Sequence, residues 1–273
     1  MPELPEVETI CRILRDGDKE HPSLVGKIIA NVQVLWERTV ALPDVAEFSS
    51  RLPDQMITDV SRRGKFLMIF LSQDTLLMHL RMSGDVRVEP QDRQLAIHDR
   101  LLVDFSDGWR LVFNDTRKFG RVWLVREVED VLANLGPEPL DEQISPQDFY
   151  FRLHNTRKQL KPLLLDQSFL AGLGNIYTDE ALHLAHLHPL TPANQVSPDK
   201  AERLLGAIRQ ILEDGIRHNG ASIDWVYRGG GFQNYFRVYN RAGQPCPECG
   251  SPIQRIVVGQ RGTHFCQVCQ PLA

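Results

Sequence analysis

Gly136-Pro137-Glu138-Pro139-Leu140-Asp141-Glu142-Gln143-Ile144-Ser145-Pro146 divides the chain into two kinds of pattern. It is rich in breakers and acids, so residues 136–145 read as a linker between domains. On its N-terminal side short β-branched and aromatic runs at 28–36, 66–71, 76–80, 86–88, 101–105, 110–113 and 122–125 are separated by turn signals, with Asp107-Gly108 a good hairpin turn. These runs predict a β-sandwich over residues 1–135. It is opened by an amphipathic helix from Pro5 to about Arg15, whose Val7, Ile10, Cys11 and Leu14 share one stripe. On the other side the period becomes helical at 146–154, 160–166, 176–186 and 198–218, which predicts a helical domain over 146–235. Between the second and third helices, Leu170-Ala171-Gly172-Leu173-Gly174-Asn175 reads as a glycine turn ending on an N-cap residue, and Gly229-Gly230-Gly231 reads as a flexible loop. The fold class is α+β and multidomain, closed by a small module over 236–273.

The 273 residues are 42% hydrophobic and 24% charged, enough for two domains with their own cores. No apolar run approaches the roughly 18 residues of a membrane span, and no basic-then-apolar leader opens the chain, so a cytoplasmic protein without a membrane partner is expected. A net charge of −4 argues weakly against a nucleic-acid partner. The distribution argues the other way. Arg62, Arg63 and Lys65 stand together, Arg152, Arg157, Lys158 and Lys161 have no acid between them, and acids gather at 127–130 and 138–142. One basic face on a two-signed surface is the expectation.

Cys246, Cys249, Cys266 and Cys269 form two Cys-x-x-Cys knuckles sixteen residues apart. That is metal-ligand spacing, and four thiolates within tetrahedral reach predict one structural zinc with no open position for water. Strands at 253–258 and 263–265 would form a β-hairpin with Arg261 at its tip. At the other end, a small second residue lets Met1 be trimmed, which would leave Pro2 as a secondary amine beside the Glu3 carboxyl group. An α-amino group titrates near ~8 and is partly neutral at cellular pH. It can therefore attack an electrophilic carbon to give an iminium, with Glu3 moving protons. The same residues also suit an ordinary helix start, with Pro5 in the first turn and Glu6 and Glu8 at its positive end. Asn175, behind two glycines at a helix N-terminus, is either an N-cap or part of an anion site.

MPELPEVET at the start, HLRMSG at 79–84, NDTRKFGR at 114–121, AGLGNIYTDEAL at 171–182 and the terminal GQRGTHFCQVCQ resemble, collinearly and end to end, bacterial formamidopyrimidine-DNA glycosylase. The resemblance implies a β-sandwich, a helix-two-turn-helix domain and a zinc finger. It implies a bifunctional glycosylase and apurinic/apyrimidinic lyase that excises oxidised purines from double-stranded DNA as a monomer, associated with the nucleoid, without a redox or nucleotide cofactor. It assigns Pro2 as nucleophile, Glu3 as proton shuttle, Lys65 to phosphate contact and proton transfer, and Arg261 to phosphates and the second elimination. Met82, Arg117 and Phe119 would fill the void left by the extruded base, while His79, His98, Arg157 and Asn175 would contact DNA. A loop at 222–236 would close over the lesion, and Tyr235, Phe236 and Asn240 depart from the pattern there. An endonuclease VIII-like enzyme for oxidised pyrimidines shares Pro2, Glu3, the lysine and the zinc finger; ELPEVE and Arg117-Lys118-Phe119 favour the purine enzyme. A non-catalytic damage binder would not need a free N-terminal amine.

Overall fold

The computed structural model describes residues 1–141, 144–222 and 229–272. The chain forms two compact units, the first containing residues 1–2 and 6–133, the second residues 3–5, 134–221 and 229–273.

In the first unit, α1 (Leu4–Asp16) is followed by β1 (Ile29–Val34), β2 (Val40–Leu42), α2 (Val45–Arg51), β3 (Ile57–Arg63), β4 (Phe66–Leu71), β5 (Thr75–His79), β6 (Gly84–Pro90), β7 (Asp99–Phe105), β8 (Trp109–Asp115), β9 (Arg121–Val125) and the single turn α3 (Glu129–Leu132). The strands make a four-stranded sheet, β1-β7-β8-β6, and a five-stranded sheet, β2-β9-β5-β4-β3. Val7, Ile10, Cys11 and Leu14 of α1 join both sheets in one apolar core with Leu67, Met78, Val103 and Phe113. Cys11 is packed as the small hydrophobe its stripe predicts, and burial pushes its thiol up to about 11. β5 lies at the centre of its sheet and is buried along its whole length, which is why it reads as an unbroken apolar run. β7 is equally buried yet charged; Asp99 accepts from Arg87 at 2.7 Å and Asp104 from Arg110 at 2.9 Å, so its carboxylates are paired.

β2, α2 and β3 have no counterpart among the sequence expectations. β3, Ile-Thr-Asp-Val-Ser-Arg-Arg, is an edge strand with only Ile57 and Val60 buried, and edge strands carry little hydrophobic signal. Its presence relocates the basic cluster. Arg62 and Arg63 are strand residues, and Arg63 pairs with Phe66, leaving Gly64-Lys65 as a two-residue turn with Gly64 at φ +57°. Lys65, read from the sequence as one of a basic cluster with Arg62 and Arg63, is 5% exposed.

The second unit holds α4 (Pro146–His154), α5 (Leu160–Leu165), α6 (Asn175–Leu184), α7 (Pro198–Arg217) and the antiparallel hairpin β10 (Gln254–Val258) and β11 (Arg261–Phe265). Ser145 and Ser197 cap α4 and α7, each followed by a proline in the first turn. Along α7, Ala201, Leu204, Leu205, Ile208, Ile211 and Leu212 are buried, the stripe the sequence predicts. The breaker stretch is tied down within this unit. Gly136 N–H donates to Gln167 O, and the Arg209 guanidinium donates to the carbonyls of Pro139, Asp141 and Ile144. The glycine run at 229–231, read from the sequence as a flexible loop, also serves a close approach, because a Cβ on Gly230 would lie 2.3 Å from the Gly220 carbonyl oxygen. Residues 223–228 of the expected lesion loop lie outside the described residues. Among the described residues no helix is long and apolar enough to cross a membrane.

One buried imidazole gives the first unit an acid-sensitive point. His79 stands edge-on to Phe66, ring centroids 4.7 Å apart, and its Nδ1 accepts the Arg81 N–H at 3.0 Å. Burial, with the charges of Arg81 and Lys65 adding to it, pulls the ring from 6.5 down to about 3. The unfolded chain therefore binds a proton that the folded one refuses, and stability falls as pH drops from about 6.5 towards 3. In urea unfolding, wild type should lose about 2 kcal/mol more between pH 7 and pH 4.5 than His79→Asn, whose Oδ1 can still accept the Arg81 N–H. Equal losses would mean that His79 protonates in the native state.

Candidate functional site

Pro2, Lys65, His79, Met82, His98, Arg117 and Phe119 belong to the first unit, whereas Glu3, Arg157, Asn175, Arg261 and the four cysteines belong to the second. Pro2 is buried while Met1 is 39% exposed; with Met1 in place the Pro2 nitrogen is an amide.

Glu3 is almost fully buried, and its carboxylate sits on the first turn of α6. Ile176 N–H donates to Oε1 at 3.0 Å and Tyr177 N–H to Oε2 at 3.5 Å. The first N–H groups of a helix have no partner within it and favour an anion. Here the anion is the protein's own. Gly174 makes the approach possible, since a Cβ there would lie 2.2 Å from Glu3 Cδ. Gly172, at φ +103°, lets the chain pass the Leu4 side chain and offers its carbonyl to Leu4 N–H at 3.1 Å. Asn175 is thus not the N-cap. Gly174 is, and Asn175 is the first helical residue. Its amide is engaged within the protein. Nδ2 donates to Gly262 O at 3.0 Å, and Oδ1 is buried without a hydrogen-bond partner among the described residues.

The side of α6 organises the zinc-finger hairpin. Asp179 accepts the Lys161 ammonium at 2.6 Å and the His264 N–H at 2.9 Å. Glu180, fully buried, accepts the N–H groups of Arg237, Val238 and Tyr239; burial raises its carboxyl while those three bonds oppose the rise. Arg261 is therefore not at a hairpin tip. It is the first residue of β11, paired with Val258 and exposed beside the Gly262 carbonyl that Asn175 holds; Gly259 and Gln260 make the turn. The basic run at 152–161 is also not one face. Lys161 is fully buried, Arg152 donates to Phe169 O, Lys158 pairs with Asp166 at 3.1 Å, and Arg157 is exposed with no ion pair among the described residues.

In the first unit the structure brings Met82 and the 117–119 loop to one carboxylate. Asp115 accepts the Ser83 hydroxyl, the Arg117 N–H at 3.1 Å and the Gly120 N–H at 2.7 Å, and it is 1% exposed. Met82 is 39% and Phe119 50% exposed, so neither is core, and the Arg117 guanidinium lies 5.4 Å from the Phe119 ring centroid. Behind them the Lys118 ammonium stands 3.7 Å over the Trp36 ring. His98 is half-buried, with the Arg100 guanidinium 3.2 Å from its Nδ1. His79, expected among DNA contacts, is a buried neutral acceptor that fixes the Arg81 backbone. Asp115, Asp179 and Glu180 were not singled out from the sequence as site residues, because a buried acid is written like an exposed one.

The four cysteine sulfurs lie within 4.8 Å of one another, with Cys246–Cys269 at 3.8 Å and Cys249–Cys266 at 3.4 Å. Zn–S bonds of about 2.3 Å in a tetrahedron put sulfurs about 3.8 Å apart, so the cluster fits one zinc, and four thiolates close its coordination.

Family models match along the chain: the formamidopyrimidine-DNA glycosylase N-terminal domain at residues 1–122, its H2TH domain at 135–226, and the zinc finger found in FPG and IleRS at 243–272. The formamidopyrimidine-DNA glycosylase of Ligilactobacillus salivarius is 42% identical over 279 residues, covering 99% of both chains. The chain belongs to the formamidopyrimidine-DNA glycosylase family. Its namesake in Chloroflexus aurantiacus is 43% identical, covering 99% of this chain and 98% of that one. Among solved structures, wild-type Lactococcus lactis Fpg (MutM) bound to N7-benzyl-Fapy-dG DNA superposes with a TM-score of 0.92 at 37% identity, covering 99% of this chain and 100% of that chain. The complex of that bacterium's Fpg with abasic-site DNA gives 0.90 at 36%, covering 98% and 99%.

The dependence of Glu3 on Gly174 is open to a double-mutant cycle. Gly174→Ala should destabilise by about 1–3 kcal/mol through overpacking, and adding Glu3→Ala should recover part of that loss, because the clash leaves with the carboxylate. Denaturant unfolding of the four proteins measures it; additive losses would show that the two residues do not meet.

Proposed function

We propose that this protein is a DNA glycosylase and apurinic/apyrimidinic lyase of base excision repair that removes oxidised purines, 8-oxoguanine and formamidopyrimidines, from double-stranded DNA. The observation that carries the reading is the Glu3 carboxylate, held in one orientation by α6 and covalently next to Pro2. Membership of the family supplies the chemistry that this arrangement suits.

After removal of Met1 the Pro2 nitrogen is a secondary amine. It attacks C1′ of the flipped nucleotide; the N-glycosidic bond breaks, and the base leaves with a proton. The deoxyribose ring opens to an iminium, Glu3 serving as the nearby proton carrier. The iminium acidifies the C2′ proton. Its loss expels the 3′-phosphate, and a second elimination expels the 5′-phosphate, leaving a one-nucleotide gap. Lys65 and Arg261 contact phosphates flanking the sugar, the arginine assisting the second elimination. Extrusion of the base costs a few kcal/mol, offset by Met82, Arg117 and Phe119 entering the void. Asn175 acts by placing the backbone next to Arg261, and His98 and Arg157 extend the contact along the strand. The zinc is structural, holding the hairpin that carries Arg261.

Borohydride trapping on DNA containing 8-oxoguanine tests the nucleophile. The adduct should map to the peptide beginning at Pro2, and an N-terminal extension, which turns the amine into an amide, should abolish it. Glu3→Gln should bind DNA yet lose excision. An N-terminally blocked protein that traps and cleaves as well as the native one would leave shared fold alone.

The void-filling roles are tested apart from the nucleophile. Met82→Ala, and Asp115→Asn, which puts an amide donor against either the Gly120 N–H or the Arg117 N–H, should slow turnover of intact lesion duplex by about 10-fold or more (about 1.4 kcal/mol). They should slow cleavage of a pre-formed abasic site much less, since no base remains to extrude. Equal slowing on both substrates would return the 82–83 and 115–120 segments to a purely structural part.

A further inference from the structure

We propose that His183 is the residue through which α6 grips the zinc cluster itself, its Nε2–H donating a hydrogen bond to the Cys246 sulfur and slowing the release of zinc. His183 is fully buried on α6, and its Nε2 lies 3.4 Å from Cys246 Sγ. It continues the stripe of Asn175 and Asp179, one helical turn further on each time. The polar side chains of this stripe, with Glu180 beside it, all reach the zinc-finger module. Asn175 reaches Gly262 O, Asp179 reaches His264 N–H, and Glu180 reaches the N–H groups of Arg237, Val238 and Tyr239. Those five bonds end on backbone. His183 is the member of the set that ends on a metal-ligating atom.

The tautomer follows from the surroundings of the ring. Nδ1 is buried and has no hydrogen-bond partner among the described residues; the Glu248 carboxylate stands 3.9 Å from it. A proton on Nδ1 would strand a buried donor and turn the Nε2 lone pair against a thiolate, whereas a proton on Nε2 gives the sulfur a donor and leaves only a bare lone pair unsatisfied. Four thiolates around a divalent ion carry two excess negative charges, and an N–H aimed at one sulfur disperses part of that charge in a water-poor setting. His183, Glu248 and Cys269 could also gather a metal among themselves, their donor atoms lying within 4.8 Å. The four cysteines already close a zinc's coordination, which leaves the imidazole the donor's part.

The test uses the full zinc-loaded protein. His183→Phe keeps a flat ring without the N–H, and His183→Gln places an amide N–H near the position of Nε2. With a chromogenic chelator in excess, His183→Phe should release zinc about 10-fold faster than wild type, as loss of such an outer-shell bond does elsewhere, and His183→Gln should fall near wild type. In the cobalt-substituted proteins the sulfur-to-cobalt charge-transfer band should move to lower energy in His183→Phe and return in His183→Gln, because the hydrogen bond stabilises the sulfur lone pairs. Wild-type release and an unshifted band in His183→Phe would make His183 a core filler and overturn the proposal. A cobalt spectrum of three sulfurs and one nitrogen in wild type would overturn it too, by making the ring a ligand. Should His183→Phe fail to fold, nitrogen NMR of the wild-type ring decides: a protonated Nε2 with a bare Nδ1 supports the proposal, and the opposite tautomer refutes it.

Discussion

A carboxylate laid on the first turn of a helix is the constraint from which the second unit's chemistry follows. Glu3 takes the Ile176 and Tyr177 N–H groups, so α6 is capped not by a neighbouring side chain but by a residue 173 positions away. A local cap would have satisfied the helix equally well. Using Glu3 instead binds the chain terminus to the helix, and the glycines at 172 and 174 are what permit so close an approach. The same helix then presents Asp179, Glu180 and His183 to the zinc-finger module. One rigid element thereby sets the acid at its end and the hairpin along its side, and Arg261 inherits its position from both.

This arrangement spends buried charge where a larger protein would spend hydrocarbon. Among the described residues, one small apolar cluster of the zinc-finger module is formed by Val238, Cys246, Ile253 and Cys266, with Cys269 packed against it. Such a cluster cannot hold a fold alone, so metal ligation and bonds to α6 substitute for it. Two of the buried charges on and beside α6 are matched in kind. Lys161, whose ammonium burial disfavours, faces Asp179 at 2.6 Å and the Asn175 carbonyl at 3.0 Å. Glu180 meets three N–H groups from consecutive residues, a geometry that fixes the direction in which the chain enters the module. Removing one partner from such pairs is far costlier than never having built them.

The first unit uses a related device on a smaller scale. Asp115 ends β8 inside the protein and collects donors from Ser83, Arg117 and Gly120, so two segments far apart in sequence share one acceptor. The side chains of Met82, Arg117 and Phe119 are exposed, while Asp115 holds the Arg117 backbone and the neighbours Ser83 and Gly120. The Lys118 ammonium over Trp36 secures the loop from the opposite face.

What the sequence by itself determined was whatever has a local period or spacing. The stripe of α7, the apolar runs of β4 and β5, the paired Cys-x-x-Cys knuckles and the adjacency of Pro2 and Glu3 are all written within a few residues of one another. The resemblance carried by MPELPEVET and NDTRKFGR then named a chemistry that composition and a charge of −4 left open. Elements with weak burial were not legible, as β3 with two buried residues shows. Tertiary structure alone decided which polar groups meet. It made Lys161 a buried counter-ion, His79 a neutral acceptor and Asn175 a clamp on Gly262, and it placed Arg261 in a strand. The physical reason is that a hydrogen bond between distant residues needs only a donor, an acceptor and a shared location. The first two are common in any sequence, and the third is supplied by the fold.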